Sequence, residues 1–186
     1  MQAGWVRIIA GKWRGRRLKV PEVKDLRPTP DRVRETLFNW LAPLLPGAYC
    51  LDMFAGSGVL GFEALSRGCA HVVMVDESAK IIALLKEELE TFQAENADIY
   101  CAKVPGQLKP PAQPFDIVFL DPPYKEDLLL PSLAFLTAHG YLADMAHIYL
   151  EADRAIEDNE LPAGIRIIKQ QKAGQVFYHL ALREIS

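Results

Sequence analysis

From residue 49 to residue 153 the chain alternates short strand-like runs with helical segments, and this restricts its fold more than any other feature. "YCLDMF" (49–54) reads as a strand and Gly58 to Arg67 as a helix. "HVVMVD" (71–76) is a second strand, followed by a helix over 78–93 with Ile81, Leu85, Leu89 and Phe92 on one face. "DIYCA" (98–102) and "FDIVFLD" (115–121) give a third and a fourth strand, the latter apolar enough to be central. Residues 128–138 read as helix and "MAHIYLEAD" (145–153) as a fifth strand. Repeated βα units predict a parallel doubly wound sheet with a ligand crevice at the carboxyl ends of its strands. The tail, "GIRIIKQ" and "GQVFYHLALRE", holds two strands with no helix between them, which predicts an antiparallel edge.

Ahead of this core lie two further segments. "WVRIIAGKWRGRRLKV" (5–20) alternates apolar and basic residues around Gly11 and Gly15, the pattern of a basic β-hairpin. "LRPTPDRVRETLFNWLAPLL" (26–45) predicts a helix starting at Thr29-Pro30, with Val33, Leu37, Trp40, Leu41 and Leu44 inward and Arg32 and Arg34 on the other face. With no long linker or repeat, 186 residues are read as one domain, residues 1–45 forming a basic extension and 46–186 the core.

Charge is unevenly placed. The chain has a net charge of −3, yet residues 1–40 carry ten Lys/Arg against four Asp/Glu, a balance of +6. The remainder carries eleven against twenty, a balance of −9. A basic arm on an acidic body is a local footprint for a polyanion. Arg7, Lys12, Arg14, Arg16, Arg17, Arg32 and Arg34 are the candidate phosphate contacts. No apolar run approaches membrane-spanning length and the N-terminus lacks a signal peptide's apolar core, so a cytoplasmic protein without membrane contact is expected. Cys50, Cys69 and Cys101 lack metal or disulfide spacing and read as small buried hydrophobes in a reducing compartment. His71, His139, His147 and His179 share no spacing for a metal and read as structural; no metal is expected. Glu151 and Asp153 read as surface or loop-pairing charges.

Two motifs carry chemistry. "LDMFAGSGVLGFEA" sets Gly56, Gly58 and Gly61 in a G-x-G-x-x-G frame between strand and helix, with Asp76 at the end of the next strand. Glycines let backbone approach a ligand, and an acid at that distance can accept ribose hydroxyls. The frame alone fits a nicotinamide-dependent oxidoreductase. Asp52, however, would face a diphosphate unfavourably and suits a ligand carrying a cation. Asp52, Phe54, Ala55, Gly56, Ser57, Gly58, Asp76 and Glu77 are the candidate cofactor-binding residues.

The second motif is "FLDPPYKE" (119–126). Pro122 and Pro123 lack N–H groups and fix φ, so the backbone stiffens where the apolar run ends. Such a ledge can offer an amine on a planar system two acceptors, the Asp121 carboxylate and the Pro122 carbonyl, while Tyr124 stacks on the ring. Asp121, Pro122, Pro123 and Tyr124 are the candidate catalytic residues.

With "VVMVD", these two motifs resemble a class I S-adenosylmethionine-dependent N-methyltransferase. "RIIAGKWRGRRL", "LRPTPDRVRETLFNWL" and "AGQVFYHLALRE" narrow the resemblance to the bacterial RsmD type, over about residues 7 to 184. That resemblance implies a Rossmann-like, seven-stranded, mostly parallel α/β sheet with a reversed last hairpin. It implies S-adenosyl-L-methionine on the Gly56–Gly58 loop and Asp76, guanine held by Asp121 to Tyr124, and methylation of guanine N2 in 16S rRNA. The substrate would be the small ribosomal subunit or an assembly intermediate, and the protein a monomer. Lys103, where such enzymes commonly place an Asp or Asn near the adenine amino group, has no acceptor to offer. An N-methyltransferase acting on DNA adenine or protein glutamine, and a non-catalytic RNA-binding assembly factor, are the other readings.

Overall fold

The computed structural model describes residues 4–20 and 29–184; residues 26–28 of the predicted N-terminal helical segment lie outside that range. Two strands, β1 (Gly4–Arg7) and β2 (Arg17–Val20), pair antiparallel as a small ribbon. The main sheet comprises β3 (Tyr49–Asp52), β4 (His71–Asp76), β5 (Ala97–Cys101), β6 (Phe115–Leu120), β7 (Leu142–Ala152), β8 (Ile165–Ala173) and β9 (Val176–Arg183). Its order is β5-β4-β3-β6-β7-β9-β8, with β3 to β7 parallel and both β9 pairings antiparallel. The helices are α1 (Asp31–Leu41), α2 (Val59–Ser66), α3 (Ala79–Phe92) and α4 (Leu129–Ala138). The expected parallel core and antiparallel edge pair are both present; within that pair β9 lies inside and β8 forms the rim. A connection too short for a helix, Ala173 to Val176, folds β9 back, and β9's near-continuous apolar run suits an interior position.

Because side chains alternate across a strand, each central strand feeds two cores. Cys50, Val72, Met74, Ile117, Phe119 and Tyr149 pack on one face with Phe38 of α1, Phe62 of α2 and Leu85 of α3. Leu51, Val73, Val75, Val118, Leu120 and Ile148 pack on the other with Leu129, Leu133 and Leu136 of α4. Each fully buried residue of this size contributes about 1.5–3 kcal/mol of transfer free energy, so these layers fix the positions of the strand ends.

Local sequence explains the helix boundaries. Ser78 caps α3 by accepting the Ile81 N–H at 3.4 Å, and Gln93 ends it in the left-handed region at φ 52°. α1 begins after Pro30, whose side chain has no oxygen to cap it, and the Thr29 hydroxyl before it points to Asp121. That helix stops at Leu41, which leaves Leu44 exposed rather than inward, while Trp40 is half-buried and stacked on Tyr178 at 5.7 Å. β7 starts three residues earlier than expected; Met145 at φ 64° and a register shift between Phe115 and Ile117 kink it there. Cys50 and Cys69 are buried as expected, but Cys101 is exposed, its thiol donating to the Glu77 carbonyl at 3.2 Å.

The basic ribbon is held down by its loop. Glu63 of α2 accepts the N–H groups of Ile9 (2.8 Å) and Ala10 (3.0 Å). Ser66 donates to the Ala10 carbonyl and accepts the Trp13 N–H, while Lys12 N–H reaches the Ser66 carbonyl at 2.8 Å. Gly11 passes so close that a Cβ would lie 1.9 Å from the Ser66 carbonyl oxygen, at φ 83°. Trp13 then packs edge-on against Phe92 at 4.9 Å.

One predicted RNA contact is overturned here. Arg34 has no exposed surface: its guanidinium donates to the Thr29 carbonyl (3.1 Å), the Arg7 carbonyl (2.9 Å), Glu63 and Asp31. One turn from Pro30 on a helix packed beneath the ribbon, it faces inward, and the acid beneath it makes burial of the charge tolerable. Among the described residues no helix is long and apolar enough to cross a membrane.

Candidate active site

The carboxyl ends of β3, β4, β6 and β7 deliver four acids to one region: Asp52, Asp76, Asp121 and Glu151. Asp52 is buried and its carboxylate accepts the Gly61 N–H at 3.1 Å. Gly61 makes room for its neighbour, since a Cβ there would stand 2.5 Å from the Met74 sulfur and displace that side chain. Asp76 accepts the Gly56 N–H at 3.0 Å and the Ser78 N–H at 2.9 Å, tying the glycine loop to the start of α3. Gly56 and Gly58 both hold positive φ, 50° and 74°, and a Cβ on Gly58 would meet Leu85 at 2.5 Å. Ala55, Ser57 and both glycines are buried, Phe54 is half-buried and Glu77 is exposed.

β6 ends at Leu120, and the ledge follows. Asp121 is half-buried, Pro122 buried and Pro123 exposed; a 3-10 turn then runs from Tyr124 to Glu126. Thr29 Oγ1 donates to Asp121 Oδ2 at 3.5 Å. Tyr124 is 44% exposed, while its hydroxyl is anchored on Glu151 Oε1 at 2.9 Å. The other Glu151 oxygen accepts the Tyr149 hydroxyl at 2.6 Å.

Of the two readings for Glu151, a surface or a loop-pairing charge, the second holds: it is buried and braces the ledge through Tyr124, whereas Asp153 is exposed. The legible signal was "YLE", since residues two apart on a strand share a face and Tyr149 could satisfy Glu151. Tyr124, on a separate turn, gave no such cue.

Mutual repulsion and burial leave these acids short of compensation. Burial first, then the neighbouring Asp76 charge, pushes Asp52 up to about 7, against the Gly61 hydrogen bond. Asp76 is raised as well, chiefly by burial. Burial, Glu151 and Asp52 hold Asp121 well above the usual carboxylate range, and burial raises Glu151 in turn. A ligand bearing positive charge relieves that strain; a diphosphate would deepen it. The donor set therefore fits S-adenosylmethionine, which carries an ammonium and a sulfonium, and not a dinucleotide. Asp52 and the Gly56–Gly58 loop would take its amino-acid end, and Asp76 its ribose. Lys103 is exposed, with its N–H on the Gln107 side chain at 2.9 Å, and offers no side-chain acceptor for an adenine amine.

The remaining basic candidates differ in availability. Arg7, Lys12, Arg14, Arg17 and Arg32 are exposed. Arg16 is exposed but already committed, stacked over Phe92 at 3.8 Å and donating to the Thr91 carbonyl at 2.9 Å.

A seven-stranded sheet with an inserted antiparallel strand, a glycine turn after β3 and a proline-stiffened acid after β6 together define a class I methyltransferase. Comparison with known proteins sharpens this. The chain belongs to the family described as Conserved hypothetical protein 95, whose model matches residues 6–182. Ribosomal RNA small subunit methyltransferase D of Escherichia coli K12 is 44% identical over 182 residues, 98% of this chain and 92% of that protein. The Haemophilus influenzae protein of the same name is 43% identical, covering 95% and 93% of the two chains. The solved yhhF structure from Escherichia coli superposes with a TM-score of 0.89 at 44% identity, covering 98% of this chain and 100% of that one.

Proposed function

We propose that this chain transfers a methyl group from S-adenosyl-L-methionine to the exocyclic N2 of a guanine in 16S rRNA. Its substrate is read as the small ribosomal subunit or an assembly intermediate, and the protein as a cytoplasmic monomer. We take residues 1–45 as the RNA-binding extension and 46–186 as the catalytic core of one domain. The observation that carries the reading is the ledge beside the glycine loop, with Asp121 at the end of central strand β6 and Tyr124 exposed on the turn that follows.

When bound, the donor supplies a methyl carbon on a sulfonium, ready for in-line displacement. The protein's task is to present nitrogen. A guanine amine is a weak nucleophile because its lone pair is delocalised into the ring. Asp121 accepts one N–H and the Pro122 carbonyl the other, which holds both hydrogens out of the ring plane, pyramidalises the nitrogen and decouples its lone pair from the ring. Charge-assisted hydrogen bonds of this kind contribute roughly 1.5–3 kcal/mol. Tyr124 stacks on the base for about 1–3 kcal/mol, its ring held in place by Glu151 through the hydroxyl. The Asp121 carboxylate stabilises positive charge that develops on nitrogen as the N–C bond forms and the S–C bond breaks. The cationic product amine is acidic and loses its proton afterwards, so Asp121 need not act as a strong base.

The relatives are named for methylation of small-subunit ribosomal RNA, which supports the same substrate here. The test is direct: incubate the protein and labelled donor with unmodified small subunits, free 16S rRNA and DNA, then digest and identify the nucleoside by mass spectrometry. N2-methylguanosine from the rRNA samples is expected; label in adenine, or none, refutes the assignment.

A further inference from the structure

We propose that the outward face of the β1–β2 ribbon is a stacking platform for a single-stranded RNA segment, with a base on Trp5 and its phosphates on Arg7, Arg17 and Lys19. This rests on the rRNA reading above and adds to it the part of the molecule that holds nucleotides flanking the target.

Strand alternation sorts the ribbon into two faces. Val6 and Leu18 turn in and are buried, so Trp5, Arg7, Arg17 and Lys19 turn out. Register sets Trp5 opposite Lys19 and Arg7 opposite Arg17. Like charges directly across a ladder cost stability, and among the described residues Arg7 is the member of this pair with an ion-pair partner, Asp31 at 3.7 Å in an exposed pair. A face that keeps such a pair is matched by a polyanion. Trp5 is 54% exposed, where its partner strand offers a lysine and no apolar cover. Indole beside cations is the combination that holds unpaired nucleotides, ring on ring and ammonium on phosphate. A duplex has no free base face to offer, so the occupant is single-stranded.

The ribbon is tied by hydrogen bonds to the body and to the catalytic corner. The β2 backbone is anchored by the Lys19 N–H on Glu88 at 3.2 Å. The Arg7 carbonyl accepts from Arg34, Arg34 donates to the Thr29 carbonyl, and the Thr29 hydroxyl donates to Asp121. RNA whose target base enters at Tyr124 can therefore lay flanking nucleotides along this face.

Trp5→Ala should weaken binding of a short oligouridylate about tenfold, within the range for losing one stacked base, and raise KM for unmodified small subunits. Trp5→Phe should restore both, while Trp5→Leu, apolar but not aromatic, should not. Oligouridylate should quench tryptophan emission of the wild type, and that quench should vanish in Trp5→Phe, since Trp13 is buried and Trp40 is stacked on Tyr178. Unchanged affinity in Trp5→Ala, or a quench that survives in Trp5→Phe, overturns the platform while methylation by the wild type leaves the enzyme assignment intact. A wild type that methylates no rRNA removes the assignment and the platform with it.

Discussion

Asp121 and Glu151 share one problem, two acids at neighbouring strand ends, and they divide its solution. Asp121 faces the substrate and Glu151 faces two tyrosine hydroxyls. Asp121→Ala should fold and bind S-adenosylhomocysteine normally yet turn over ~100-fold or more slowly, as for loss of one transition-state hydrogen bond; single-turnover rates test this. Asp121 must be ionised to accept the amine and its folded-state value is raised, so turnover should climb with pH through that raised value. Glu151 contributes to the raising, so Glu151→Gln should move the acid limb of the kcat profile to lower pH. A merely structural loss would lower the whole profile without moving the limb. Asp52 gives a second pH handle. Its carboxyl is raised from 3.8 to about 7, so the ligand-free fold loses this group's stabilisation as pH rises from the ordinary value through the raised one. A cationic ligand prefers the ionised form, so affinity for S-adenosylhomocysteine, through its ammonium, should increase as pH rises through about 7, and Asp52→Asn should flatten that dependence in calorimetric titrations. Asp52 and Asp121 were legible because each stands at a strand end beside a glycine or proline that marks the chain's direction. Glu151 was not, because half of its environment arrives from a distant turn.

At the level of elements, the parallel strands were readable from their apolar runs, and β4 runs over the same residues as its sequence pattern, His71–Asp76. The order of the last two strands was not readable. Periodicity shows that a strand exists, and pairing depends on which edge is left open. The N-terminal helix shows the converse failure: helical spacing identifies Leu37 and Leu41 as inward, but charge alone suggests surface, and Arg34 is buried. Its partner supplies the reason. Glu63 holds Arg34, Arg67 and two loop N–H groups at once. Glu63→Ala should therefore leave Arg34 with the exposed Asp31 as its one remaining acid and strand two loop N–H groups, destabilising the fold by ~3–5 kcal/mol, read as a lower urea midpoint. Glu63→Ala with Arg34→Met should recover much of that loss.

Across the whole molecule, the polarity of charge is the feature most plainly written in the chain: a basic amino-terminal part on an acidic remainder. Structure refines which cations are available, setting Arg34 and Arg16 in internal roles and leaving Arg14, Arg17 and Arg32 exposed. Replacing those three with Ala should reduce the magnitude of the salt-dependence slope of RNA binding by about 2–3, near one unit for each phosphate no longer neutralised; filter binding across a salt series measures it. The inserted position of β9 carries a consequence of a different kind. Translation is vectorial, and residues 176–183 are the last strand of the sheet to be made. Until they clear the exit tunnel, β8 has nothing to pair with and β7 presents a bare rim. The nascent sheet thus stays open along one side until this late segment arrives and closes it from within.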